Sequence, residues 1–284
     1  MPRRPAAVAM AVAVAGVLLG TAGCRSTADD GGRVRVAAGF ARLSELAERV
    51  GGDRVRVSDL TPPGAEPHDV ELSSTDIDAV DDADLALYLG GGFQPGLAEA
   101  AHRAGRSLDL LKPAERKDPH IWLDPARYAE AETVVERALG AIDPGGAAGY
   151  RRRGAAFRSE LAALDHEMKA GLATCQRHEI VTAHAAFGYL ARRYGLLQEP
   201  VTGVSPEAEP DPRRLARLAD LVREKGVTTV FSERLVSPRV AEALAREAGV
   251  RVAVLDPLEG RLKDGYAAAM RRNLATLRTA LGCT

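Results

Sequence analysis

The chain has 284 residues, of which 46% are hydrophobic and 27% are charged, and its formal net charge is −1. This composition is typical of a globular protein that is long enough for one large domain or two lobes. A balanced charge excludes the basic surface expected of a nucleic-acid-binding protein, and 4% aromatic residues are too few for base-stacking platforms. We therefore expect no nucleic-acid partner.

The first two dozen residues have the pattern of a bacterial export signal. Two arginines precede an apolar run over residues 6–19, which is too short to predict a membrane-spanning helix, and small residues lead to Cys24. A cysteine in this position resembles a lipobox, in which cleavage leaves Cys24 as a lipidated N-terminus. We expect residues 1–23 to be a signal peptide and residues 24–32 a flexible tether to the outer face of the cytoplasmic membrane. Ordinary secretion is the alternative.

The two remaining cysteines form an even pair in an exported chain. Oxidising surroundings favour a disulfide between Cys175 and Cys283. Such a bridge would tie the C-terminus to the start of a second lobe, and two buried free thiols are the alternative.

Apolar periodicity predicts strands and helices that alternate in two parts of the chain, separated by a helical region. The predicted strands are 33–38, 55–60, 83–89, 179–183, 228–232 and 250–255. The predicted helices are 44–50, 74–80, 128–139, 147–172, 186–194, 215–225, 238–248 and 270–281. Alternation of this kind indicates parallel sheets built from βαβ units. We therefore expect the α/β class, with two α/β lobes over 33–143 and 174–284 joined by one long helix within 144–173.

Three of the six histidines and one aspartate stand at places that favour a metal site. His68 and His184 follow predicted strands, His120 lies between two prolines in DPHIWLDP, and Asp256 ends the strand VRVAVL. In α/β proteins the carboxyl ends of parallel strands gather ligand groups at one edge. Three imidazoles and a carboxylate suit a tetrahedral divalent ion, above all zinc.

Seven motifs in order give the chain a family resemblance: PPGAEPHDVELSSTDI, ADLALYLGGG, DPHIWLDP, VTAHAAFGYLARRYGL, SPEAEPDP, VFSERL and VAVLDPLEG. With these motifs the chain resembles the cluster A-I (cluster 9) solute-binding proteins of ABC transporters, which capture zinc or manganese outside the membrane. The resemblance implies two α/β lobes joined by a rigid helix, a metal buried in the cleft between them, and a membrane permease as partner.

The resemblance also implies the ligands of one zinc ion (Zn²⁺): His68, His120, His184 and Asp256. His184 indicates the zinc branch, because manganese relatives typically have Glu at that position; a manganese or iron carrier is the alternative. Glu66, or a water, is the alternative fourth ligand. Glu233 ends a predicted strand, and we expect it either to orient a histidine near the cleft or to make a simple surface salt bridge.

Four protein ligands would close the coordination sphere and leave no position for a reacting water, so we expect a carrier and not an enzyme. We also expect this carrier to be a monomer. A zinc hydrolase would need an open position and a general base, and the chain has no HExxH motif. A metal-binding surface adhesin with the same fold is a further alternative.

Overall fold

The structure, a computed structural model, describes Met1 and residues 32–284. The expected signal peptide, the lipid attachment at Cys24 and nearly all of the expected tether lie outside the described residues. No helix in the described part of the chain is long and apolar enough to cross a membrane.

The first half of the described chain builds a four-stranded parallel sheet in the order β2-β1-β3-β4. The sequences of its central strands are short apolar runs, because helices cover both faces of the sheet. The strands are β1 (Val34–Ala38), β2 (Val55–Asp59), β3 (Leu85–Tyr88) and β4 (Ser107–Asp109). The helices between them are α1 (Ala41–Gly51), α2 (Ser74–Asp81) and α3 (Pro95–Ala104). In register, Val36 of the central strand β1 lies between Val57 and Leu85.

Two helices follow without intervening strands: α4 (Pro125–Ile142) and α5 (Ala147–Leu172). The chain then builds a second parallel sheet in the order β6-β5-β7-β8. Its strands are β5 (Glu179–Thr182), β6 (Leu197–Pro200), β7 (Thr229–Ser232) and β8 (Arg251–Val254). Its helices are α6 (Gly188–Tyr194), α7 (Pro212–Glu224), α8 (Arg239–Ala248) and α9 (Gly265–Leu281). Two parallel sheets with covering helices confirm the predicted α/β class.

Helix α5 connects the two sheets. Its 26 residues span about 39 Å, and it packs against α1 and α4 on one side and α9 on the other. Phe157, Leu161, Leu164 and Met168, spaced by three and four, are all buried in one hydrophobic cluster that includes residues from both sheets. The sheets therefore share a continuous core along this helix.

Cys175 and Cys283 form a disulfide across 108 residues, which confirms the predicted pairing. Cys175 follows α5 and Cys283 follows α9. The bridge therefore fastens the end of the last helix to the chain just before β5, at the amino-terminal edge of the second sheet.

Three elements were not predicted from the sequence: α3, β4 and β6. The two strands are edge strands of three and four residues, and the side chains of β4 and β6 are half-buried or exposed. Pro200 interrupts the pattern of β6, and α3 begins at a proline after three glycines. Short, partly exposed elements of this kind have too few buried positions to give a clear period.

Candidate metal centre

Four side chains from the carboxyl ends of the two sheets converge in one buried cluster: His68, His120, His184 and Glu259. His68 lies in a short 3-10 turn (Pro67–Asp69) in the loop after β2, and Glu259 lies in the loop after β8. His184 follows β5 directly, and His120 precedes a second 3-10 turn, Ile121–Leu123. The side chains of His120 and His184 are 0% exposed, that of Glu259 is 1% exposed and that of His68 is 8% exposed.

All four donor atoms lie within 4.8 Å of one another, and four of the six distances between them are close to those of a tetrahedral zinc site. The Nε2 atoms of His120 and His184 are 3.3 Å apart. Glu259 Oε1 lies 3.4 Å from His68 Nε2, 3.5 Å from His120 Nε2 and 3.6 Å from His184 Nε2. With zinc–ligand bonds of about 2.0–2.1 Å, neighbouring donors of a tetrahedron are about 3.3–3.4 Å apart. The four side chains could therefore hold one zinc ion at their centre.

Two carboxylates fix the histidines from behind. Asp118 Oδ1 lies 2.9 Å from His120 Nδ1 and also accepts a hydrogen bond from the His120 backbone N–H. Glu233 makes the same pair of contacts with His184, at 2.6 Å to Nδ1 and 3.1 Å to the backbone nitrogen. With Nδ1 engaged as a donor, each Nε2 faces the cluster and can give its lone pair to a cation that displaces any proton held there.

Buried polar atoms without partners mark the place of a cation. Within the described residues, both carboxylate oxygens of Glu259 and Nε2 of His68 are buried and have no hydrogen-bond partner. An unpaired buried carboxylate costs several kcal/mol, about as much as leaving one partner of a buried ion pair alone. A divalent cation among these atoms would satisfy all of them at once.

The structure does not bring Asp256 into the cluster, which corrects the expectation about the fourth carboxylate. Asp256 Oδ1 accepts a hydrogen bond from the Leu258 backbone N–H at 2.8 Å, and Oδ2 lies 3.7 Å from Arg234 Nε. This is an Asx turn, in which a side chain next to the strand end bends the backbone two residues on. Asp256 shapes the loop, and Glu259, three residues later, reaches the histidines.

Contacts from two elements and the burial of its own Leu258 hold this loop in place. Asn273 of α9 accepts from the Asp256 backbone N–H and donates to the Asp256 carbonyl. Trp122, next to His120 in the chain, donates from its indole N–H to the Pro257 carbonyl at 2.7 Å. Leu258 has a φ of +61° and is fully buried, so its unusual backbone conformation is fixed by packing. The loop that carries Glu259 is thereby positioned against His120.

The surroundings shift the pKa values of the cluster in opposite directions. Burial lowers the pKa of His184, but the Glu233 hydrogen bond and the Glu259 carboxylate outweigh burial and raise it to about 10. Burial likewise opposes Asp118 and Glu259 at His120, whose pKa is raised, whereas burial dominates at His68 and lowers its pKa. Although burial opposes ionisation of Glu259, the three histidines hold its pKa well below the usual value.

Glu66, the alternative fourth ligand, lies beside the cluster and not within it. Its Oε1 accepts from the His68 backbone N–H at 3.2 Å and so caps the turn that presents His68. Burial and the negative charge of Glu259 raise the pKa of Glu66 to about 8. Because the donor atoms that can share one ion are those of His68, His120, His184 and Glu259, Glu66 serves the site through the His68 backbone.

Residues 36–280 match the family described as “Zinc-uptake complex component A periplasmic”. The chain belongs to this family. The resemblance drawn from the seven motifs is thereby confirmed, and the family is one of solute-binding transport proteins.

Comparison with known proteins supports the same family assignment. The chain is similar to zinc-binding protein AdcA of Streptococcus pyogenes serotype M18 (strain MGAS8232), at 32% identity over 287 aligned residues that cover 87% of this chain and 56% of that protein. It therefore spans little more than half the length of that relative. Among solved structures it is similar to the Zn(II)-bound ZnuA-like domain of Streptococcus pneumoniae AdcA, with a TM-score of 0.76, 30% identity, and coverage of 88% of this chain and 99% of that one.

The fold is also similar to that of the laminin-binding protein Lmb of Streptococcus agalactiae, described as a bifunctional protein with adhesin and metal transporting activity. That comparison has a TM-score of 0.81 and 32% identity, and it covers 87% of this chain and 99% of Lmb. The two structural comparisons confirm the two-sheet fold of this family.

Proposed function

We propose that this chain captures Zn²⁺ outside the cytoplasmic membrane and delivers it to the permease of an ABC importer. The observation that carries the proposal is the buried cluster of three imidazoles and one carboxylate whose donor atoms lie close enough to share one ion. Family membership and the Zn(II)-bound relative support it. In this proposal the ligands are His68, His120, His184 and Glu259, with Asp118 and Glu233 orienting two of the imidazoles.

Zinc fits this donor set better than manganese or iron. Imidazole nitrogen is a borderline donor that suits zinc, whereas Mn²⁺ prefers oxygen-rich, octahedral sites. The cluster offers three nitrogens and one carboxylate, and Glu66, the further carboxyl beside it, is not among the donors that can share one ion. We therefore expect zinc to bind more tightly than manganese or ferrous iron.

A carrier fits this site better than an enzyme. Four protein donors fill a tetrahedral shell and leave no position for a water that could be activated. Asp118 and Glu233 already contact the Nδ1 atoms of His120 and His184 and face away from the centre, so neither is placed to act as a general base toward a zinc-bound water. The site holds its ion and excludes water, which is what capture and delivery require.

The proposal includes a lipid attached to Cys24. A diacylated cysteine would keep a monomeric carrier on the outer face of the cytoplasmic membrane, close to its permease.

Competitive metal titration of the purified, metal-stripped protein tests the function. We expect one zinc ion per chain, bound at least about a hundredfold more tightly than manganese, in keeping with the preference of nitrogen donors along the divalent series. His184→Ala should abolish tight binding, while His178→Ala, which changes an exposed histidine near the same sheet, should leave it unchanged. Stoichiometric manganese binding that resists zinc would overturn the proposal.

A further inference from the structure

A groove of about 490 Å³ opens beside the metal centre, and site loops form its walls. Pro63 and Gly64 come from the loop after β2, and Arg234 and Leu235 come from the loop after β7. Residues 260–264, in the loop after β8, complete the rim together with the first turns of α9. Each of these three loops also holds a member of the metal centre or a carboxylate that contacts it.

The groove is rich in positive charge. Its charged lining residues are four cations and two carboxylates: Arg234, Arg261, Lys263 and Arg272, with Asp256 and Asp264. The three arginine side chains are between 52% and 66% exposed, and Lys263 is exposed as well. Because the whole chain has a net charge of −1, this surplus of positive charge is a local feature of the groove.

These cations remain available to a partner. Arg234 and Arg261 lie 3.7 Å and 3.3 Å from Asp256 and Asp59, whose side chains are only 16% and 4% exposed. Both arginine side chains remain more than half exposed beside these carboxylates. Arg272 lies 3.3 Å from Asp264, whose side chain is itself 69% exposed. Lys263 makes no ion pair within the part of the chain that the structure describes. Exposed ion pairs contribute about 0–1 kcal/mol, so an incoming carboxylate can share these donors at little cost.

The walls of the groove are shaped to admit a polypeptide. Leu235 and Leu262 are half-buried and give apolar contact area between the charges. Gly64, which also lines the groove, has a φ of +84°, and no atom lies within 4 Å of where a Cβ would stand. A concave, partly apolar and basic surface suits an acidic peptide segment better than a flat lipid surface.

We propose that this groove docks an acidic segment of the protein that receives the zinc. The inference rests on the proposed function, because a recipient of the ion gains from binding beside the loops that hold it. Charge complementarity at such a rim speeds encounter and selects the partner, and it gives a strong dependence on salt.

The test measures binding of a short fluorescein-labelled peptide, rich in Glu with interspersed Leu, to the zinc-loaded protein by fluorescence anisotropy. The groove variant Lys263→Gln/Arg272→Gln removes two cations, and the matched control Arg213→Gln/Arg217→Gln removes two exposed cations of α7 outside the groove. We expect one peptide per chain, about tenfold weaker binding to the groove variant and unchanged binding to the control.

Zinc titration of the same variants separates the two proposals. Absence of tight zinc binding by wild-type protein would overturn the proposed function, whatever the peptide does. Normal zinc binding with equal peptide affinity in both variants, or with no peptide binding at all, would overturn the docking groove alone. Association with phosphatidylglycerol vesicles that depends on Lys263 and Arg272, without peptide binding, would assign the groove to the membrane and equally contradict the proposal.

Discussion

Two carboxylates in the loop after β8 have separate tasks, although only two residues lie between their positions. Asp256 accepts a backbone hydrogen bond and turns the chain, while Glu259 presents two unpaired oxygens to three histidines. The turn needs an acceptor of hydrogen bonds and no charge. The zinc site needs a negative charge in a buried place, where it offsets part of the charge of the ion.

This division of tasks predicts opposite outcomes for two conservative substitutions. Glu259→Gln removes the charge from the cluster and should weaken zinc binding by more than about a hundredfold, beyond the loss expected for a supporting residue. Asp256→Asn keeps the acceptor of the Asx turn and should change zinc affinity by less than about threefold. Competition against a chromophoric chelator measures both, and a larger loss in Asp256→Asn would show that the assignment is reversed.

Zinc binding should release protons at neutral pH. The pKa of His184 is raised to about 10, so its imidazole is protonated in the metal-free protein at about pH 7.5. Zinc must displace this proton, so zinc affinity should rise with pH until about pH 10 and fall on acidification. The pKa of His120 is raised as well, which acts in the same direction. Calorimetry in buffers of different ionisation enthalpy measures the number released.

A matched variant gives the control for the proton count. Glu233→Gln removes the carboxylate that raises the pKa of His184, so this variant should release fewer protons at the same pH. Zinc binding by the wild type without proton release would contradict the protonation state assigned to His184.

At the scale of single residues, the sequence predicted the three histidines of the cluster and missed its carboxylate. Two of the histidines follow predicted strands and the third lies between two prolines, so the sequence position of each is enough to place it near the site. The loop DPLEG contains two acidic residues, Asp256 and Glu259. Which of them reaches the histidines depends on the turn that Asp256 makes and on the positive φ of Leu258. Asp118 was missed as well, although its position two residues before His120 is a local signal for a carboxylate that contacts the ring.

At the scale of elements, the loop after β8 is held by residues from outside its own sheet. The indole of Trp122 donates to the Pro257 carbonyl, and Tyr266 of α9 donates from its hydroxyl to the Trp122 carbonyl. His120 lies against the same indole, with ring centroids 5.1 Å apart. One aromatic side chain thus positions two ligands, His120 by packing and Glu259 through its loop.

Trp122→Phe tests this link. Phenylalanine keeps most of the packing but leaves the buried Pro257 carbonyl without its donor, so we expect a loss of about 1–3 kcal/mol of stability and faster dissociation of zinc. Tyr150→Phe is the control, because it also removes one hydrogen bond, to Asp143, far from the loop. A chelator chase measures dissociation, and equal rates in both variants would contradict the role of Trp122.

The elements that sequence predicted are those with a buried stripe or a buried run. Helix α5 was predicted over its full length because Phe157, Leu161, Leu164 and Met168 repeat on one face. Edge strands β4 and β6 pair on one side only and bury few side chains, so their order in the sheet comes from backbone pairing that no local pattern contains.

At the scale of the whole molecule, stability and zinc binding are built at opposite edges of the second sheet. The disulfide lies before β5 and after α9, whereas His184 and Glu259 follow the carboxyl ends of β5 and β8. The continuous core along α5 joins the two sheets and resists their separation. Loss of the bridge should therefore weaken the fold without changing the geometry of the metal centre.

Cys175→Ser/Cys283→Ser tests this separation. Opening a loop of 108 residues should lower the free energy of unfolding by up to about 4–5 kcal/mol, measured by denaturant titration. Zinc affinity at a temperature where the variant is folded should remain within about twofold of the wild type, since a stability change at a distant site leaves binding to the folded state untouched. Weaker zinc binding in a variant of unchanged stability would contradict this prediction.

X-ray absorption at the zinc edge of the zinc-loaded protein tests the central claim most directly. The account predicts one zinc per chain with a first shell of three imidazole nitrogens and one carboxylate oxygen at about 2.0–2.1 Å, and loss of the oxygen scatterer in Glu259→Gln but not in Asp256→Asn. A shell dominated by oxygen, or one that loses its carboxylate in Asp256→Asn, would contradict it.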